Sequence, residues 1–144
     1  MAIIDRQIRF SNAQAVTAAA ASEDAIDLGT ARQLGDGSTL YIVVTCTTAM
    51  TDGSSDSTLA VKVQSDSDSA FGSPTDVQTI GTFPATSAAG TQFIVPLMHF
   101  TTAERYIRLY YTPANGNLTT GSFTAFLTDS PQVWSAYPDA ITIS

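Results

Sequence analysis

Few residues of this 144-residue chain are suited to chemistry, and none has a partner at a spacing that catalysis requires. His99 is the one histidine and Cys46 the one cysteine. A Ser–His–Asp or Cys–His relay needs a base beside its nucleophile, and the sequence indicates no such neighbourhood. A metal site built from histidines is excluded by number. We therefore predict no enzyme activity, no catalytic or metal-binding residues and no cofactor, and we interpret Cys46 as a small buried residue of an apolar strand.

Two pairs of aspartates lie in loops rich in serine and glycine: Asp52 with Asp56, and Asp66 with Asp68. Spaced aspartates can bind calcium through oxygen, but neither loop has the closing glutamate of an EF-hand. We favour solvated turn carboxylates, with calcium binding as the alternative. Paired carboxylates for glycoside hydrolysis are disfavoured, because a general acid needs an apolar pocket that raises its pKa and these aspartates lie in polar turns.

The composition favours a folded domain that makes contacts. The net charge is −7, and the single lysine and five arginines are scattered, which disfavours nucleic acid and anionic membranes as partners. Hydrophobic residues make up 44% of the chain, enough for a core, whereas charged residues make up only 13% and serine and threonine together about a quarter. Such a surface is weakly protected against association. The start of the chain lacks the pattern of a signal peptide, and no apolar run has the length of a membrane span, so we expect a cytosolic protein or one in a particle assembled there.

Side chains alternate with a period of two, which predicts an all-β fold of about eight strands in an antiparallel sandwich or barrel. Strong strand patterns cover residues 40–48, 59–64, 77–83, 92–98, 105–112 and 122–128, and weaker ones cover 7–10 and 25–28. Pro96 indicates an edge strand or a bulge. The alanine-rich stretch 12–21 is compatible with a short helix or an extended segment.

One strand carries a candidate contact face. In the run 105–112, Tyr106, Arg108 and Tyr110 alternate with three apolar residues. Tyr106 and Tyr110, with Phe126 as an optional third member, form an aromatic ladder with three open interpretations: a platform for sugars or bases, a subunit interface, or ordinary packing. Phe71, in the polar loop 65–74, is expected to fold back onto the domain.

Both ends of the chain carry large apolar groups. We predict one domain over residues 1–144, with an N-terminal arm (1–12), a sandwich body (13–129) and an extended C-terminal tail (130–144). Polar, loose termini are the rule unless something holds them, so these ends indicate a surface to lie on, either the domain's own flank or another subunit. The predicted contact residues of the termini are Arg6, Arg9, Phe10, Trp134, Tyr137 and Ile141.

The order of several segments resembles a known family. DRQIRFSNAQAVT (5–17), AIDLG (25–29), LYIVVTCTTAM (40–50), SDSDSAFGSPT (65–75), ERYIRLYYT (104–112) and TAFLTDSPQVWSAYPDA (124–140) resemble the small capsid cement, or decoration, proteins of short-tailed bacteriophages, the type first seen on a Bordetella phage. The specificity comes from the combination, because no single segment is diagnostic.

The resemblance implies a jelly-roll sandwich on the outside of an icosahedral head, assembled in the host cytoplasm. Such a protein clamps neighbouring major capsid subunits, is commonly a homo-oligomer (a dimer in the type case), and has neither enzyme activity nor a cofactor. Our leading hypothesis is therefore a capsid cement protein, with Tyr106 and Tyr110 added to the terminal contact residues. The alternative is a carbohydrate-binding jelly-roll module of a virion fibre or adhesin, with the same tyrosines lining the site.

Overall fold

Nine β-strands and no α-helix make up the part of the protein that the structure, a computed structural model, describes: residues 8–28, 40–97 and 104–128. The strands are β1 (Arg9–Ala15), β2 (Ala20–Ala21), β3 (Ile26–Asp27), β4 (Tyr41–Thr51), β5 (Thr58–Asp66), β6 (Thr75–Phe83), β7 (Gln92–Pro96), β8 (Tyr106–Ala114) and β9 (Thr120–Thr128).

The strands pair into two antiparallel sheets, as predicted. The four-stranded sheet has the order β1-β9-β4-β7, and the five-stranded sheet has the order β2-β8-β5-β6 with β3 also paired to β8. β2 pairs with one part of β8, at Tyr110 and Tyr111, and β3 pairs with another, at Tyr106 and Ile107. These two short strands therefore act as one interrupted edge strand. With that pair counted once, eight strands in two sheets follow the order of a jelly roll.

The core lies between the sheets, because successive side chains of a strand point to opposite faces. Along β8, Ile107, Leu109 and Tyr111 are fully buried, whereas the residues between them are only half-buried. β5 repeats this alternation. Cys46 of β4 is fully buried in the same core, and burial raises the pKa of its thiol, so it is a small buried residue as predicted.

The alanine-rich stretch 12–21 contains strand and turn, and no helix. β1 covers its first residues, and the chain then turns at residues 17–19 into β2. Phe10, just before the stretch, and Val16, within it, are buried in the core at 0% and 1% exposure. Sheet pairing therefore outweighs the helix propensity of alanine. The predicted boundary of the N-terminal arm at residue 12 is corrected by the same observation, because residues 9–12 belong to β1.

β7 is an edge strand, as Pro96 predicted. It pairs with β4 in the four-stranded sheet and ends that sheet. Proline has no N–H group to donate to a neighbouring strand. At the last residue of an edge strand no neighbouring strand needs that donor, so the sheet loses no hydrogen bond there.

One end of the sandwich, the turn end, holds the connections 16–19, 52–57, 84–91 and 115–119, which are bonded to the strands and to one another. The amide of Leu118 donates to the carbonyl of Thr17 at 2.9 Å, and that of Thr119 to the carbonyl of Thr51 at 2.7 Å. Asn115 and Gly116 have φ angles of 65° and 117°, positive values that Asn and Gly tolerate in turns. The connections at the turn end are therefore held together by hydrogen bonds between their own backbone groups and those of the adjoining strands.

The opposite end, the arm end, is where the rest of the chain joins the sandwich. Tyr41, the first residue of β4, pairs with Thr128 and Pro96, the last residues of β9 and β7. In the other sheet, Asp27 at the end of β3 pairs with Tyr106 at the start of β8. Segments 1–7, 29–39, 98–103 and 129–144 therefore all connect to the body at the arm end.

Candidate interaction surface

The two aspartate pairs act in their own turns. Asp52 accepts hydrogen bonds from the amides of Ser54 and Asp56, at 3.2 and 3.4 Å. Asp68 accepts one from the amide of Ala70 at 3.0 Å. Among the described residues no three or more His, Cys, Asp or Glu side chains form a group that could hold a metal ion. The turn interpretation of these aspartates agrees with this geometry.

Four of the predicted contact residues, Arg6, Trp134, Tyr137 and Ile141, lie outside the described residues, as does His99. The segments that carry these four contact residues join the sandwich at the arm end. No helix in the described ranges combines the length and the apolar character needed to cross a membrane.

Arg9 and Phe10 point to opposite sides of β1. Phe10 is fully buried in the core, so its ring has no surface to offer a partner and we do not carry it into the proposed contact set. Arg9 is partly exposed and forms an ion pair with Asp24 at 3.3 Å. Its Nε atom is buried and has no hydrogen-bond partner in the part of the chain that the structure describes.

Tyr106 and Tyr110 lie on the outer face of the five-stranded sheet, with Arg108 between them, as the alternation predicted. In the register of β8 and β5, Arg108 is opposite Gln64 and Tyr110 is opposite Lys62. All five side chains are half-buried, so this face presents polar and aromatic groups together. It is the described surface that best fits a contact role.

Three neighbours hold Arg108 on this face: Phe71, Tyr110 and Gln64. We call these four residues the Arg108 cluster. The guanidinium carbon of Arg108 lies 4.2 Å from the ring centroid of Phe71 and 5.5 Å from that of Tyr110. Its Nε donates to the side-chain oxygen of Gln64 at 3.0 Å. Stacking of this kind contributes about 0.5–2 kcal/mol per cation–ring contact, depending on desolvation.

The loop 67–74 brings Phe71 to the cluster, and Asp66 fixes the loop. The carboxylate of Asp66 accepts the amide of Asp68 at 3.0 Å and the amide of Ser73 at 2.9 Å. These hydrogen bonds, that of Asp68 first and that of Ser73 second, lower the pKa of Asp66. Phe71 has a φ of 52°, rare for a bulky residue, and is only 8% exposed. It folds back onto the domain as predicted, and its strained backbone places the ring under Arg108.

The other cations on this face are paired with acids. Lys62 Nζ lies 3.1 Å from Asp76, which also accepts a hydrogen bond from Gln64 at 2.9 Å. Arg105 donates twice to Asp27, at 2.8 and 3.0 Å. Such exposed pairs contribute little stability.

Phe126 does not join the tyrosine ladder, because β9 belongs to the four-stranded sheet. On the outer face of that sheet it pairs with Val43, which pairs with Ile94 on β7. Phe126 and Val43 are 3% and 2% exposed although neither belongs to the core cluster between the sheets. Phe126 and Val43 are therefore covered within a single chain, whereas Ile94 is only half-buried.

The Arg108 cluster contains functional candidates that the sequence only partly indicated. The alternation placed Arg108 between the two tyrosines, but its contacts with Phe71 and Gln64 depend on loop geometry and strand register. The one available signal was Phe71 itself, a lone aromatic residue in a polar loop. An aromatic ring in a polar loop is expected to pack against the domain, but the sequence could not indicate which residues it would contact.

The fold and this face define an all-β jelly-roll protein whose described surface is suited to contact. The model of the Bbp16 family matches residues 10–127, which correspond closely to the sandwich body. The chain therefore belongs to the Bbp16 family. This match is consistent with a Bordetella phage protein family, and it agrees with the resemblance of the sequence to bacteriophage proteins. No curated protein matches the chain.

Proposed function

We propose that this protein is a capsid cement protein, a non-enzymatic component of the virion that binds the outer surface of an icosahedral head and clamps neighbouring major capsid subunits. The difference between the two ends of the sandwich is the main support for this proposal. The turn end is closed by its own hydrogen bonds, whereas both termini and two connecting segments join the body at the arm end. The Arg108 cluster lies beside that end, because β8 begins there with Tyr106.

The physical reason is multivalency. Packaged DNA exerts pressure on the capsid shell, and the junctions between capsid subunits are its weakest places. A small domain with several contact segments at one end can reach more than one subunit, and each contact raises the effective concentration of the next. Extended segments reach about 3.3 Å per residue, so the 16 residues from 129 to 144 suffice to cross a subunit boundary.

Addition of the purified chain to undecorated heads tests the function. We expect saturable co-sedimentation with the heads and an increased temperature of head disruption. Protein that stays in the supernatant at saturating concentration would contradict the proposal. Sugar-specific binding on a glycan array that Tyr110→Ala abolishes would favour the carbohydrate-binding alternative instead.

A second prediction concerns the tail. A variant with Trp134→Ala, Tyr137→Ala and Ile141→Ala is expected to lose most of its head binding while the thermal unfolding of its body is unchanged, because these groups are proposed to lie on the shell. Gln132→Ala, Ser135→Ala and Thr142→Ala in the same tail form the matched control. A triple variant that binds heads as tightly as the control would show that the tail is not an anchor.

A further inference from the structure

We propose that Arg108 is the anchor through which this surface recognises its partner, and that its guanidinium receives a carboxylate from a capsid subunit. This inference rests on the proposed function and specifies the chemistry of the contact.

The first support is that Arg108 is the one cation of the described residues without an ion pair. Arg9, Lys62 and Arg105 are each within 3.3 Å of an aspartate oxygen. Among the described residues, Arg108 contacts Gln64 and two aromatic rings, and no acid. The whole chain has 13 acidic and 6 basic side chains, so an arginine that lacks an acidic neighbour stands out against the composition.

The second support is that Arg108 is preorganised. The rings of Phe71 and Tyr110 and the hydrogen bond from Nε to Gln64 fix the plane of the guanidinium. Gln64 is held in turn by its hydrogen bond to Asp76. The Nη1 and Nη2 atoms have no acceptor among the described residues, and they form the fork that matches the two oxygens of a carboxylate. Less conformational entropy is then lost when the partner binds.

The third support indicates a partner other than a second copy of this face. All three acids in the strands of the five-stranded sheet are already engaged. Asp27 binds Arg105, Asp76 binds Lys62, and Asp66 binds the amides of its own loop. If two copies met face to face, none of these strand carboxylates would be free to receive Arg108. This favours a capsid subunit, the partner in the proposed function, as the source of the carboxylate.

The test combines a change in the protein with a change in the head. Arg108→Gln removes the charge and the fork, and Arg105→Gln is the matched control, because Arg105 lies directly before β8 and is already paired with Asp27. Head carboxylates are converted to amides with a carbodiimide and ethanolamine. Affinities of the wild type and of both variants are measured on untreated and on amidated heads, and thermal unfolding is measured to check the fold of each variant.

We expect Arg108→Gln to bind untreated heads on the order of tenfold more weakly or worse, as is typical of a buried arginine anchor, and Arg105→Gln to bind within about threefold of the wild type. Amidation should weaken the wild type by a larger factor than it weakens Arg108→Gln. The wild-type measurement on amidated heads does not depend on how well the variant folds.

Three results would overturn the inference, and they are distinguishable. If the wild type does not bind heads at all, the proposed function fails and this inference fails with it. If the wild type binds but Arg108→Gln binds equally well, or amidation weakens both by the same factor, the inference alone fails. If Arg108→Gln dissociates a homo-oligomer in sedimentation while head binding is unchanged, the carboxylate belongs to a second copy and not to a capsid subunit.

Discussion

At the level of single residues, a buried hydrogen bond joins the two sheets. The hydroxyl of Tyr111 on β8 lies 2.8 Å from that of Ser11 on β1, and Ser11 donates to Gln14 at 2.8 Å, so Tyr111 is the donor to Ser11. Tyr111 and Ser11 are both fully buried. Burial raises the pKa of Tyr111 far above its usual range, more than the hydrogen bond with Ser11 lowers it.

We predict that Tyr111→Phe lowers the free energy of unfolding by about 1 kcal/mol at neutral pH, because it removes a buried hydrogen bond and leaves the ring in place. The raised pKa adds a second effect. The folded chain keeps the Tyr111 proton at pH values where the unfolded chain loses it, so the contribution of Tyr111 to stability is constant below pH about 10 and falls above it. Tyr111→Phe lacks this part of the fall.

Urea unfolding at pH 8 and pH 11 measures both effects. Tyr110→Phe removes the same hydroxyl from the outer face and is the control, with an expected change within about 0.5 kcal/mol at pH 8. A Tyr111→Phe variant with the stability and the high-pH profile of the wild type would contradict the account.

Alternation along a strand explains why the sequence predicted some of these positions. It placed Tyr106, Arg108 and Tyr110 on one face of the strand and the residues between them on the other, and the structure confirms this alternation. It could not pair Tyr111 with Ser11, 100 residues away in the chain. It also placed Phe126 with the tyrosines, because alternation gives a face within each strand but not the sheet to which the strand belongs.

At the level of elements, the loop 67–74 controls the position of Phe71. We predict that Asp66→Asn loosens this loop, because an amide has a single acceptor oxygen where the carboxylate uses two for the amides of Asp68 and Ser73. Hydrogen exchange at those two amides should become faster. Binding to heads should weaken as well, because Phe71 supports Arg108.

The same carboxylate gives the loop a pH dependence. Its pKa is lowered in the folded chain, so its stabilising effect is complete above the ordinary carboxyl pKa of about 4 and is lost as the pH falls below it. Asp68→Asn, in the same loop, keeps the Asp66 contacts and is the control. Unchanged exchange at Asp68 and Ser73 in Asp66→Asn would show that Asp66 does not fix the loop.

Elements with strong alternation were predicted well, and those set by tertiary context were not. The bounds of β5 and β8 differ from the predicted runs 59–64 and 105–112 by only one or two residues at each end, because apolar and polar side chains alternate strictly there. The stretch 12–21 was ambiguous because its alanines suit helix, whereas its conformation depends on pairing with β9 and β8. The weak pattern near residues 25–28 became β3, an edge strand of two residues.

At the level of the whole molecule, the two ends of the sandwich differ, and the proposed function depends on this difference. The turn end satisfies its own backbone groups, and the arm end receives every segment outside the described ranges. The sequence predicted that the termini make contacts, but it could not place them at one end, because that follows from the strand order.

Imaging of heads saturated with the protein by electron cryomicroscopy tests the central claim most directly. The account predicts one sandwich-shaped density at junctions between subunits on the outside of the shell. In this density the arm end, marked by Tyr41, Tyr106 and Thr128, faces the shell, and Arg108 lies against an acidic side chain. Heads that carry no added density, or sandwiches attached by the turn end, would contradict it.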